Sequence, residues 1–196
     1  MNWILASGSP RRRELLEMLG VPDLTIRPAT GPERATPGAG PEQTVRELSL
    51  HKAQEVAQTC APEDIIIAAD TIVYLDGAIL GKPKDHDDAV RMLTALSGRE
   101  HIVYTGVAVL RGGELRQAAE QTAVRFRTLT PAEIERYIAT GEPMDKAGAY
   151  GIQGRAGAFC EYLEGDYFSV MGLPVCSLAV LLRRFGAAVL GECGEG

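Results

Sequence analysis

The chain has 196 residues, 45% hydrophobic and 23% charged, with a formal net charge of −6. That length can bury most of the apolar surface of one domain, or of two small lobes sharing a core. The acidic balance argues against general affinity for nucleic-acid polymers, which shows as a basic excess, but a small anionic ligand needs only a local group of cations.

The segment MNWILASGSP has no basic region and only a short apolar run before a turn signal, so no signal peptide is expected. Residues 2–6 read as a short buried strand. Residues 10–19 read as a helix, with Ser9 as N-cap, Pro10 in first position and Gly20 as its stop. Residues 27–41, rich in Pro and Gly, read as a long loop, and loops of that length are often functional. A second helix is predicted over 41–58. Residues 65–75 (IIIAADTIVYL) form an apolar strand, and Asp76-Gly77 makes a two-residue hairpin turn into AIL.

Asp85 caps a helix that runs to about Leu96 and stops at Gly98. Residues 101–110 and 114–128 read as a hairpin around Gly112-Gly113, and Thr130-Pro131 with Glu133 forms a capping box for a helix ending near Gly141. A glycine-rich stretch, 141–157, leads to two strands expected around a Glu164-Gly165-Asp166 turn. A last helix spans 174–185. Helices alternating with strands, some of them hairpins, predict an α/β fold with a mixed sheet. One domain over 1–190 is expected, with 191–196 as a flexible tail.

Four cysteines (Cys60, Cys160, Cys176, Cys193) are scattered, with no C-x-x-C pair and no His at ligand spacing. They read as free thiols of a reducing compartment rather than as zinc ligands. No apolar run approaches the roughly 20 residues of a membrane helix. A cytoplasmic protein without a membrane partner is expected.

Three features could carry chemistry. The first is SGSPRRR at 7–13, a turn into a helix whose first positions hold Arg11, Arg12 and Arg13. Cations are unfavourable at a helix N-terminus, and an anion held between backbone N–H groups and guanidinium forks would remove the conflict; the alternative is a solvated basic turn paired with Glu14 and Glu17. The second is Asp70 inside an apolar strand, where a carboxylate must be hydrogen-bonded, paired or metal-bound, or else satisfies a turn at the strand's end. The third is the hairpin register. With Asp76-Gly77 as the turn, Thr71 comes opposite Lys82 and Asp70 opposite Pro83. Regular pleating would send Asp70 and Lys82 to opposite faces unless Gly81 hosts a bulge, and Lys82 can equally be an exposed loop lysine. Lys52 shares an apolar helix stripe with Val45, Leu48 and Val56, so it either snorkels to solvent or points into a cleft. Glu33, in the long loop, is unremarkable alone.

Several classes are excluded. GIQGRAG is neither a Walker A sequence nor a dinucleotide fingerprint, and Gly81-Lys82-Pro83 lacks the following Ser or Thr. No G-x-S-x-G elbow is present, and His51, His86 and His101 show no pairing pattern.

Taken together, LASGSPRR (5–12), ADTIV (69–73), GKP (81–83), LSGR (96–99), EPMDKAGAYGIQG (142–154) and GLP (172–174) closely resemble the Maf family of nucleotide pyrophosphatases, in the family's order and spacing. The resemblance implies an elongated, mixed, twisted sheet flanked by helices, with two lobes and a central cleft. It implies hydrolysis between the α- and β-phosphates of a nucleoside triphosphate. Carried over position by position, Asp70 resembles the base that activates water. Ser7, Arg12, Lys52 and Lys82 resemble triphosphate contacts. Glu33 resembles the acidic loop residue that places a divalent cation, Mg²⁺ or Mn²⁺, with Asp70. Arg11, Thr71 and Gln153 match the subfamily acting on dTTP and UTP, whereas a sister group acting on 7-methyl-GTP carries Trp, Gln and Glu there. An amide both donates and accepts, so Gln153 suits the carbonyl and N–H edge of a pyrimidine. The resemblance also implies a homodimer and an association with arrest of cell division and septum formation. Modified pyrimidine nucleotides remain a substrate option, and a nucleotide-binding regulator without turnover is the rival from another class.

Overall fold

The computed structural model describes residues 1–187 and 189; the expected tail at 191–196, with Cys193, lies outside the described residues. Seven strands form one mixed sheet: β1 (Trp3–Leu5), β2 (Leu24–Ile26), β3 (Ile65–Leu75), β4 (Ala78–Leu80), β5 (Glu100–Arg111), β6 (Glu114–Phe126) and β7 (Cys160–Glu164). Their order is β2-β1-β3-β5-β6-β7, with β4 on β3. The α-helices among the described residues are α1 (Pro10–Met18), α2 (Pro41–Ala57), α3 (His86–Leu96), α4 (Pro131–Ile138), α5 (Tyr167–Met171) and α6 (Val175–Arg184). The described residues divide into two compact units: residues 1–70, 105–120 and those from 172 onward form one, and residues 71–104 and 121–171 the other.

In the first unit β1 runs parallel to both β2 and β3. Trp3, Ile4 and Leu5 are all buried, as are Ile65 to Ala69, the continuous apolar pattern of parallel strands covered on both faces. The helix α1 closes as the sequence predicts. Gly20, at φ +75, donates to Glu17 O, and Val21 donates to Leu16 O, a Schellman motif that satisfies two end carbonyls. Against β5 lies α2, at a glycine: a Cβ on Gly106 would meet the Val45 carbonyl oxygen and come within 2.6 Å of its carbon. The edge strand β2 has no counterpart in the sequence reading. It is three residues long and half-exposed, too short to show a period of two.

In the second unit the capping signals are met. Asp85 accepts from the Asp88 N–H at 2.8 Å, and Thr130 and Glu133 form the full capping box of α4. The hairpin has the register set by Asp76-Gly77, with Leu75 opposite Ala78 and Val73 opposite Leu80. The core is built on Leu93, Leu96, Phe126, Tyr137, Tyr150 and Phe159, with aromatic rings meeting edge to face. Two expectations are corrected here. Residues 167–171 are the short helix α5 rather than a second strand, because Asp166 Oδ1 accepts from the Phe168 N–H at 2.9 Å and Ser169 Oγ bonds back to the Asp166 carbonyl. The β6 strand ends at Phe126, with a register shift against β7 between Arg125 and Phe126.

Cys60, Cys160 and Cys176 are free thiols. No helix among the described residues is long and apolar enough to cross a membrane.

Candidate active site

The turn after β1 splits the three arginines. Arg13 pairs with Glu17 at 2.7 Å on the exposed face, the bland outcome for a basic first turn. Arg12 turns inward. Its Nε donates to the Gly172 carbonyl at 2.7 Å and its Nη1 to Ser7 Oγ at 3.1 Å. Burial lowers the Arg12 pKa, an effect opposed by the negative charges of Asp70 and Glu33. Ser7, itself buried, also accepts from the Ser9 N–H at 3.2 Å. The first turn of α1 holds no acidic side chain, and Ser9 makes no side-chain cap, so this helix end keeps its positive field. Arg11 lies half-buried beside it.

Lys52 does not snorkel to solvent. Its ammonium bridges Asp70 Oδ1 and Glu33 Oε1, the latter at 2.9 Å. Asp70 is 7% exposed, and this ammonium is the bonded partner that a buried carboxylate needs within β3. Glu33 reaches the same ammonium because its loop is tied to α2 on both sides. Glu55 accepts from the N–H groups of Thr30 and Gly31 at 2.7 and 3.0 Å, and Glu47 accepts from the Thr36 N–H at 2.6 Å. These backbone bonds hold both carboxyls below the usual range. The sequence reading named neither Glu47 nor Glu55, and had Gly172 only as the first residue of the GLP fragment. The two glutamates on α2 facing a Pro/Gly loop with open N–H groups were the available signal.

Among the described residues no group of three or more His, Cys, Asp or Glu side chains forms a ready metal cage. The pair Asp70 and Glu33, already sharing one cation, nevertheless fits an ion of the magnesium type, which takes one or two carboxylates and completes its shell with waters and substrate phosphates.

Thr71, Lys82 and Gln153 belong to the second unit, whose boundary falls directly after Asp70. Thr71 is half-buried on β3. Lys82 is exposed just past β4, and since β4 ends at Leu80 the rule of alternating faces no longer applies to it. The Gly81 carbonyl accepts from the Gly148 N–H at 3.0 Å, fixing the backbone before Lys82. Gln153 is exposed, in the turn ahead of a 3-10 segment, Arg155–Phe159.

The model of the Maf family, described as Maf-like protein, matches residues 2–185. The chain belongs to the Maf family. A Maf relative from Chromobacterium violaceum, named dTTP/UTP pyrophosphatase, is 53% identical over 93% of each chain. One of the same name from Moorella thermoacetica is 50% identical over 96% of this chain and 97% of its own. Among solved structures, a HAM1 protein from Coxiella burnetii aligns with a TM-score of 0.56 at 14% identity, over 94% of this chain and 99% of that one. At that identity the likeness speaks for the mixed α/β fold alone.

Proposed function

We propose that this Maf protein is a nucleoside-triphosphate pyrophosphatase acting on dTTP and UTP, and on modified pyrimidine nucleotides of the same edge pattern. The observation that carries the reading is the meeting of Asp70, Lys52 and Glu33 in the same unit as the inward-turned Arg12 and Ser7. The names of relatives about half identical over nearly the whole chain support it.

In this reading Ser7, Arg12, Lys52 and Lys82 bind the triphosphate, and Arg11, Thr71 and Gln153 select the base. Asp70 orients a water toward the α-phosphorus and takes its proton. The bond from that phosphorus to the bridging oxygen breaks, and pyrophosphate leaves with the electron pair. Positioning and charge stabilisation do most of the work, since the transferred group needs little covalent help. Glu33 and Asp70 would hold a Mg²⁺ or Mn²⁺ ion, which when bound supplies neutralisation of the phosphate charge. Lys52, bonded to both carboxylates, is within reach of that same locus and turns its ammonium to a phosphate when the substrate enters. The association with arrest of cell division is part of this proposal and rests on the resemblance.

The test is pyrophosphate release from dTTP, UTP, CTP and 7-methyl-GTP, with and without Mn²⁺. Release from dTTP and UTP well ahead of the other two is expected. Asp70→Asn should lose about 10²–10⁴ in turnover while still binding nucleotide, the range of a general base. An Asn variant at the wild-type rate removes Asp70 from that role, and absence of any nucleotide hydrolysis by the wild type overturns the whole reading.

A further inference from the structure

A side-chain amide can select a base only if its backbone is fixed to within about half an ångström, and this requirement is hard to meet for Gln153. The residue is exposed, and glycines at 151 and 154 flank it, the residue type with the most backbone freedom to lose. No strand or α-helix holds this turn, which closes on itself through the Gly154 N–H and the Gly151 carbonyl at 3.0 Å.

One carboxylate ties it on both sides of Gln153. Glu142 Oε1 accepts from the Tyr137 hydroxyl at 2.9 Å, and that same hydroxyl accepts from the Gly151 N–H at 3.1 Å. Glu142 Oε2 accepts from the Arg155 N–H at 3.2 Å. The two oxygens therefore secure the backbone two residues before and two residues after Gln153. Gly154 rests directly on the carboxylate: a Cβ there would touch Oε1 and come within 2.6 Å of Cδ. Lys146 locks the base of the arrangement, donating to the Glu142 carbonyl and to Asp145 Oδ1, each at 2.6 Å. Burial raises the pKa of Tyr137, so its hydroxyl keeps the proton that it donates.

We propose that Glu142, relayed by Tyr137, is a positioning residue for base selection, fixing the 151–155 turn so that Gln153 presents its amide to the pyrimidine edge. This rests on the role proposed for Gln153. The carboxylate matters because it accepts on both oxygens, whereas an amide would have to offer a donor to one of two donors.

The experiment compares kcat/KM for dTTP and for CTP in the full-length protein and four variants, Gln153→Ala, Glu142→Ala, Glu142→Gln and Tyr137→Phe. Gln153→Ala is the control: if it leaves the dTTP-to-CTP ratio unchanged, the base-reading role of Gln153 fails, and the proposal with it. If it collapses the ratio, Glu142→Ala should lower the ratio by about tenfold or more, through dTTP alone. Glu142→Gln and Tyr137→Phe keep the shape of the site and should each fall in between. Combining Glu142→Ala with Gln153→Ala should cost no more discrimination than Gln153→Ala by itself. Variants that lose rate equally on both nucleotides, or that merely melt earlier with the ratio intact, overturn the proposal. Should Glu142→Ala fail to fold, the Gln and Phe variants decide the question by the same ratio.

Discussion

Protonating His101 should destabilise the protein by an amount the structure allows us to work out. The residue is 2% exposed on β5. Its Nε2 shares a hydrogen bond with the Tyr150 hydroxyl at 2.8 Å, the ring of Phe126 stands edge to face at 5.1 Å, and its Nδ1 has no partner among the described residues. A second ring proton would find no acceptor, and burial accordingly lowers its pKa from 6.5 to about 4. The unfolded chain takes up this proton first. Stability is thus complete above pH 6.5 and is lost as the pH falls through the window down to about 4. At about 1.4 kcal/mol per pH unit the loss is about 2 kcal/mol at pH 5 and about 3 kcal/mol below the window. Urea unfolding at pH 7, 6 and 5 of the wild type and of His101→Leu measures it. The exposed His86, whose pKa Asp87 and Glu135 raise, acts in the opposite direction but is common to both proteins and cancels in the difference. Equal pH slopes for the two proteins would refute the reasoning.

Replacing Lys52 by Met leaves Asp70 and Glu33 facing each other without their shared cation. Stability should fall by about 3 kcal/mol, as for a broken buried pair, and Mn²⁺ binding without nucleotide, followed by electron paramagnetic resonance, should tighten about tenfold or more; unchanged or weaker Mn²⁺ binding would mean that the ammonium and the ion do not share a locus. Gly106→Ala drives a methyl group into the backbone of α2 at Val45 and should cost about 1–3 kcal/mol in urea unfolding, with a neutral result contradicting the close approach of β5 and α2.

Local signals were readable in the sequence because their partners lie within a few residues. Asp85 with Asp88, Thr130 with Glu133, Gly20 after α1 and Asp76-Gly77 in the hairpin all act at short range, and each does what its residue type dictates. The missed elements depend on distant chain. The strand β2 exists because β1 offers it an edge, and α5 overrides the strand preference of Tyr-Phe-Ser-Val through Asp166 and the bond from Ser169 to Thr122, 47 positions away. For the site, the odd placement of Asp70 and Lys52 within apolar patterns marked each of them singly. Their mutual bond joins a helix to a strand and could not be read from periodicity. Glu142 stood only as the first residue of a quoted fragment, because its partners, the Tyr137 hydroxyl, the Arg155 N–H and the backbone of Gly154, leave no mark in composition.

The helix α2 has a double duty: it carries Lys52, and through Glu47 and Glu55 it anchors the loop that delivers Glu33. Fraying of this one helix would therefore release the ammonium and the loop carboxylate from Asp70 in a single event. Any agent that loosens α2 would switch the cation arrangement off as a whole rather than weaken it by degrees.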